Sequence, residues 1–159
     1  MNKNFRMVTM MYLIFLSSIL GAMLYAGIVV TSVTFHTNLW LGSDILTRFQ
    51  EGQIMVENFL RLSYAVNLLI VLVIVYEGYK FKKFERDIGT QVASFFVITT
   101  GLLFAQYYIP DILAFQMQGV EMTESIAFEN THKGSEINSK IFAVALLSLI
   151  ILNMRKACK

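Results

Sequence analysis

Two histidines and a set of carboxylates are the residues of this chain best suited to chemistry. His132 lies in the stretch FENTHKGSEINSK (Phe128–Lys140), where Glu129, His132 and Glu136 are spaced i, i+3 and i+7. On a helix these three share one face, and a Glu-x-x-His pair is one element of the carboxylate-bridged di-iron sites built inside helical bundles. His36, Glu51 and Glu57 are the candidates for the remaining ligands from a facing segment. Mixed imidazole and carboxylate donors suit a divalent Zn, Fe or Mn ion better than soft Cu(I). A catalytic di-iron centre takes two Glu-x-x-His pairs and two further glutamates; this chain has one such pair. The competing reading is a solvated, salt-bridged face. Glu136 and Lys140 form an i, i+4 pair of the favourable orientation, and the Glu129/His132/Glu136 face sits roughly 120° from the face carrying Ile126, Gly134, Ile137 and Ile141. No nucleophile–base pair, phosphate loop or dinucleotide fingerprint is present. The expectation is a non-enzymatic protein whose acidic, histidine-containing side binds a cation or a partner.

The elements that must position these residues are apolar. With 56% hydrophobic and 15% charged residues and a mean hydropathy of +0.60, the chain departs from soluble globules, whose charged fraction is about a quarter. Four runs are visible, at about 7–35, 62–79, 88–109 and 137–154. The last is long enough to cross a bilayer when Lys140 snorkels outward. The first run, Met7–Phe35, holds no charged residue and is about twice as long as a signal-peptide core, which argues for a retained crossing. It also carries a ridge of small residues, Ser17 and Gly21 with Ser18, Ala22 and Ala26 beside them. In lipid, helices associate by close backbone approach rather than by hydrophobic drive, so this ridge is expected to be the packing hub. Asn67 and Gln106 are expected to hydrogen-bond between helices.

Lys and Arg sort by side. Nine of the thirteen lie at the N-terminus (Lys3, Arg6), between the second and third runs (Lys80, Lys82, Lys83, Arg86) or at the C-terminus (Arg155, Lys156, Lys159). Eight of the eleven acids lie in the other two connections. The positive-inside rule then places both termini in the cytoplasm and the acids outside an inner (cell) membrane. The predicted fold is all-α: a single domain over residues 1–159, an up-down-up-down four-helix bundle with helices extending beyond the outer leaflet. Ser43 or Asp44 is the expected N-cap of the second helix, with Ile45, Phe49, Val56, Phe59 and Leu60 on one stripe and Asp44, Arg48 and Glu51 on another. Pro110 is expected to kink or end the third crossing, with helix able to resume as far as Gln118 before Gly119 stops it. Trp40, Tyr64, Tyr107 and Tyr108 fit an outer aromatic belt.

A net charge of +2 is too small to argue for nucleic acid, so none is expected as a partner, and the lone Cys158 excludes an internal disulfide framework. The partners implied are the lipid bilayer and either other membrane subunits or further copies of the chain. An accessory subunit of a larger membrane complex is the alternative function. A transporter or channel requires an oligomer, because no ionisable residue lies near the middle of a crossing.

The first run, in particular LGAMLYAGIVVTSVTF (Leu20–Phe35), and the Phe128…His132…Ser135…Asn138 spacing resemble the bacterial four-span membrane proteins related to eukaryotic transmembrane protein 205. The resemblance covers the whole chain in topology. It implies a four-span fold and a functional weight on His132 and Asn138, and no particular activity.

Overall fold

The computed structural model describes residues 3–42, 45–83 and 87–157. The described residues are almost wholly helical and include four helices long and apolar enough to cross a membrane: Phe5–Thr34, Arg48–Lys82, Ile88–Met117 and Ile126–Ala157. Long helices suit lipid because every backbone N–H and C=O is satisfied within the segment. Two short helices, Thr37–Leu41 and Val120–Thr123, lie in the connections.

The second helix starts at Arg48, later than its apolar pattern suggests. Thr47 is the N-cap: its hydroxyl accepts from the Gln50 backbone N–H at 3.3 Å, and the Gln50 side chain accepts from the Thr47 N–H at 2.9 Å. This reciprocal box satisfies two orphan donors at once and outcompetes an earlier start. Ile45 therefore lies outside the helix. The proposed caps Ser43 and Asp44 lie outside the described residues, as do Arg86, Cys158 and Lys159.

The third helix continues through Pro110. One π-helical turn, Leu103–Tyr108, immediately precedes it, and the wider turn accommodates the ring and the missing N–H that a regular i→i−4 ladder would not. The helix ends at Gly119, whose φ of +103° only glycine adopts readily. The first helix has a matching π turn at Tyr25–Val30, where the Thr31 hydroxyl donates to the Ala26 carbonyl five residues back at 3.0 Å.

The four helices share a core of Leu16, Val66, Leu69, Val73, Val97, Phe142, Leu146 and Leu149, all fully buried. Close backbone approach is concentrated on the third helix. Ala93, Ser94, Thr100, Gly101 and Ala105 are buried there, and a Cβ at Gly101 would come within 3.0 Å of the Phe142 ring and 3.1 Å of Ile70. The ridge on the first helix behaves differently from expectation. Ser17, Ser18, Gly21 and Ala22 are exposed and Ala26 is half-buried, and a Cβ on Gly21 would meet nothing within 4 Å. That helix instead buries Thr9, Tyr12, Leu16, Ile19 and Met23. The bulkier stripe makes the wider contact, and the small residues are left facing away.

The fourth helix also shows a different face from the one its isoleucines trace. Ile126, Ile137 and Ile141 are exposed, and the buried stripe is Asn138, Phe142, Ala145, Leu146, Leu149, Ile150 and Asn153. Gly134 is an exception within the isoleucine pattern, packing under the Tyr108 ring. Between the second and third helices, Gln106 donates to Asn67 at 2.9 Å, an interhelical bond of the kind that contributes about 0.6 to 2 kcal/mol in lipid.

Candidate functional site

The acid-rich end does not gather its candidate ligands. Glu129 and Glu136 are paired along their own helix with Lys133 at 2.6 Å and Lys140 at 2.8 Å, and all four side chains are more than half exposed. His132 is exposed and tilts against the Phe128 ring, centroids 5.9 Å apart. The His36 Nδ1 lies 2.8 Å from the Ser32 carbonyl of its own chain turn. Glu57 pairs with Arg61 at 2.9 Å on the surface of the second helix. Among the described residues, no three His, Cys, Asp or Glu side chains converge as a cation site needs. Glu129 and Glu136 each take their charge partner from the lysine four residues on in the same helix.

Glu51 is the exception at that end, because it is buried. The Thr37 hydroxyl donates to it at 2.7 Å, and Arg48, stacked 4.2 Å over the Phe35 ring, approaches it at 3.5 Å. Glu51 therefore faces inward, against the end of the first helix, while Arg48 of the same stripe stays exposed. Thr131 likewise donates to Asp111 at 3.1 Å, tying the third and fourth helices.

The densest polar cluster lies at the opposite end. Lys80 is buried to 4% exposure and Glu77 to 13%. The Lys80 ammonium donates to Glu77 at 3.0 Å and to the Asn153 amide oxygen at 2.6 Å. The Asn153 amide nitrogen returns a bond to the other Glu77 oxygen at 2.9 Å, and the Tyr12 hydroxyl donates to that same oxygen at 3.2 Å. Tyr76, its ring 3.9 Å from that of Tyr12, donates its hydroxyl to Thr9 at 2.7 Å. Three helices thus converge on one closed network, as burial of a charge pair demands: each ion is both paired and hydrogen-bonded. Among the described residues, no buried side-chain polar atom lacks a partner.

Beside this node, Asp87 caps the third helix by accepting from the Thr90 N–H at 3.2 Å and the Thr90 hydroxyl at 2.5 Å, and Lys156 of the fourth helix pairs with it at 2.9 Å. The Thr90 hydroxyl bond first, and the Lys156 ammonium second, hold the Asp87 carboxyl well below the usual carboxylate range. Sequence reasoning assigned Lys80 and Lys156 to the basic clusters alone. The available signal was an acid, Glu77, at the basic end of an apolar run, with Lys80 three residues on and Asn153 at the matching end of the fourth run.

Chemically, the Glu77–Lys80–Asn153 node can tie helices and hold charge. It presents no open ligand position, since each of its polar atoms is already engaged. The exposed ridge of the first helix is the other notable feature. Ser17 and Ser18 line an open groove with Met10, Leu13 and Ile14, closed on one side by Met154 of the fourth helix.

No curated protein and no solved structure matches the chain. One family does, over residues 14–121, from the middle of the first helix to just past Gly119. The match takes in both π turns, the Asn67–Gln106 bond and the Glu51 contacts, and stops short of the fourth helix with His132, Asn138 and Asn153. The chain belongs to the family described as a domain of unknown function, DUF4149.

Proposed function

We propose that this protein is a non-enzymatic, multi-pass accessory subunit of a larger membrane complex, with its first helix as the contact. The observation that carries the reading is the outward ridge Ser17, Ser18, Gly21 and Ala22. Only 17% of the apolar window of this helix is buried against the rest of the chain, compared with 33–44% for the other three. Small residues let a second helix come close enough for dispersion and backbone contacts to drive association in lipid. On the inner side of the same helix, that role goes to Tyr12, Leu16 and Ile19.

The reading carries the predicted topology with it: up-down-up-down in the inner membrane, termini cytoplasmic, helix ends projecting past the outer leaflet. Its support is that the basic clusters and the acidic connections fall at opposite ends of the helices. The Tyr12–Glu77, Lys80–Asn153 and Lys156–Asp87 contacts share one end, and Thr37–Glu51 and Thr131–Asp111 the other. The likeness of Leu20–Phe35 and Phe128–Asn138 to proteins related to transmembrane protein 205 fits this topology and adds no activity. The cation-binding reading has scattered carboxylates as its ligands, each already paired with a lysine or arginine.

Purification from native membranes in mild detergent tests the proposal. The wild-type chain is expected to migrate in an assembly larger than its own mass, and Gly21→Leu with Ser17→Leu to migrate alone while remaining helical. A wild-type chain that runs as a monomer overturns it.

A further inference from the structure

We propose that the short helix Thr37–Leu41 is a lipid anchor, seated in the headgroup layer at the end of the first helix and holding that end at the membrane surface. Leu39 and Trp40 are each 72% exposed and Leu41 55%, consecutive apolar residues left mostly uncovered by the protein. Such a patch is costly in water, yet it continues a surface already suited to lipid. Ile28, Val29 and Val33 are exposed on the last turns of the first helix, and no Asp, Glu, Lys or Arg falls between Arg6 and Asp44.

Length sets the depth. The first helix, Phe5–Thr34, has 30 residues, or about 45 Å at 1.5 Å each. That matches the roughly 40–45 Å of a bilayer measured through both headgroup layers. The segment after Thr34 therefore emerges at headgroup level. There the chain leaves the helix at His36 (φ −132°, ψ 37°) and is stopped after Leu41 by Gly42 in the left-handed region (φ +69°). Thr37 is tied inward to buried Glu51 at 2.7 Å, and Arg48 clamps Phe35 by its carbonyl and ring. With Thr37 held against the protein, the turn presents Leu-Trp-Leu outward, with Asn38 exposed beside them. Tryptophan, an apolar ring with one N–H donor, is the side chain enriched at this depth.

Trp40 is the only tryptophan in the chain, so its emission reports on this segment alone. The experiment places the full chain in nanodiscs of phosphatidylcholine and phosphatidylglycerol held by a tryptophan-free scaffold, with a fraction of the lipid brominated either near the headgroup end or near the terminus of the acyl chain. The expected result is a blue-shifted emission that loses most of its intensity to the shallow bromines, less to the deep ones, and little to aqueous iodide. Leu39→Asp with Leu41→Asp is expected to shift the emission red and to open it to iodide, with helix content retained. Free quenching of the wild-type chain by iodide and none by brominated lipid overturns the proposal. So does protection from both quenchers, the signature of a protein neighbour over the ring, and so does stronger quenching by the deep bromines.

Discussion

The Lys80 ammonium and the Asn153 amide oxygen stand 2.6 Å apart, joining the second helix to the fourth at the end where Tyr12 of the first helix also reaches Glu77. Removing one member of a buried ion pair leaves its partner charged and unpaired, at a cost of about 3–5 kcal/mol. Lys80→Met is therefore expected to lower the thermal midpoint sharply in detergent. Lys80→Met with Glu77→Gln is expected to recover much of the loss, since no isolated charge remains. A double variant no more stable than Lys80→Met shows that the pair is not coupled.

Gly101 and Gly21 are expected to respond differently to added bulk. A methyl on Gly101 meets Phe142 at 3.0 Å and Ile70 at 3.1 Å, and overpacking of this kind costs about 1–3 kcal/mol. Gly101→Ala is expected to destabilise the folded chain, and Gly21→Ala to leave its melting unchanged. Equal effects from the two would contradict the placement of the close contacts on the third helix.

Asp87 gives a pH dependence with a definite sign. Its folded-state pKa is depressed, by the Thr90 hydroxyl first and Lys156 next, so its contribution is fully present above the unfolded value of about 3.9 and is lost as pH falls below it. Lys156 and Asp87 are each more than a third exposed, so solvent screening keeps the pair's share small. Loss of the helix cap in Asp87→Ala is expected to cost about 0.5–2 kcal/mol at neutral pH. Melting curves of wild type and variant, taken from neutral pH down into the acid range, are expected to converge as the carboxylate protonates.

Gln106 and Asn67 test the interhelical bond. Asn67→Leu removes the acceptor at 2.9 Å and is expected to cost about 0.6–2 kcal/mol. Gln106→Leu on that background is expected to add little. Additive losses in this double-mutant cycle would show that the two side chains do not interact.

The four long helices and the Gly119 stop were legible in the amino-acid order, because a chain crossing lipid must satisfy its backbone within helices, and hydropathy marks where it does so. Which face of the first and fourth helices turns inward was not, although Val56, Phe59 and Leu60 of the second do pack inward as their stripe suggests. In a soluble helix the apolar stripe is the buried one, but lipid and protein interior are both apolar, so the pattern loses its meaning. The ridge of Ser17 and Gly21 marks a surface for close helix contact without saying whether the neighbour is the chain's own, and the Ile126, Ile137 and Ile141 face turns out exposed. The acids suffered a related ambiguity. Glu129 and His132 have suitable spacing for a ligand pair, yet Lys133 and Lys140 take up the glutamates within their own helix. Only tertiary structure decided that Glu77, Lys80, Tyr12 and Asn153 meet, since they come from three helices and their partnership depends on how those helices are set side by side.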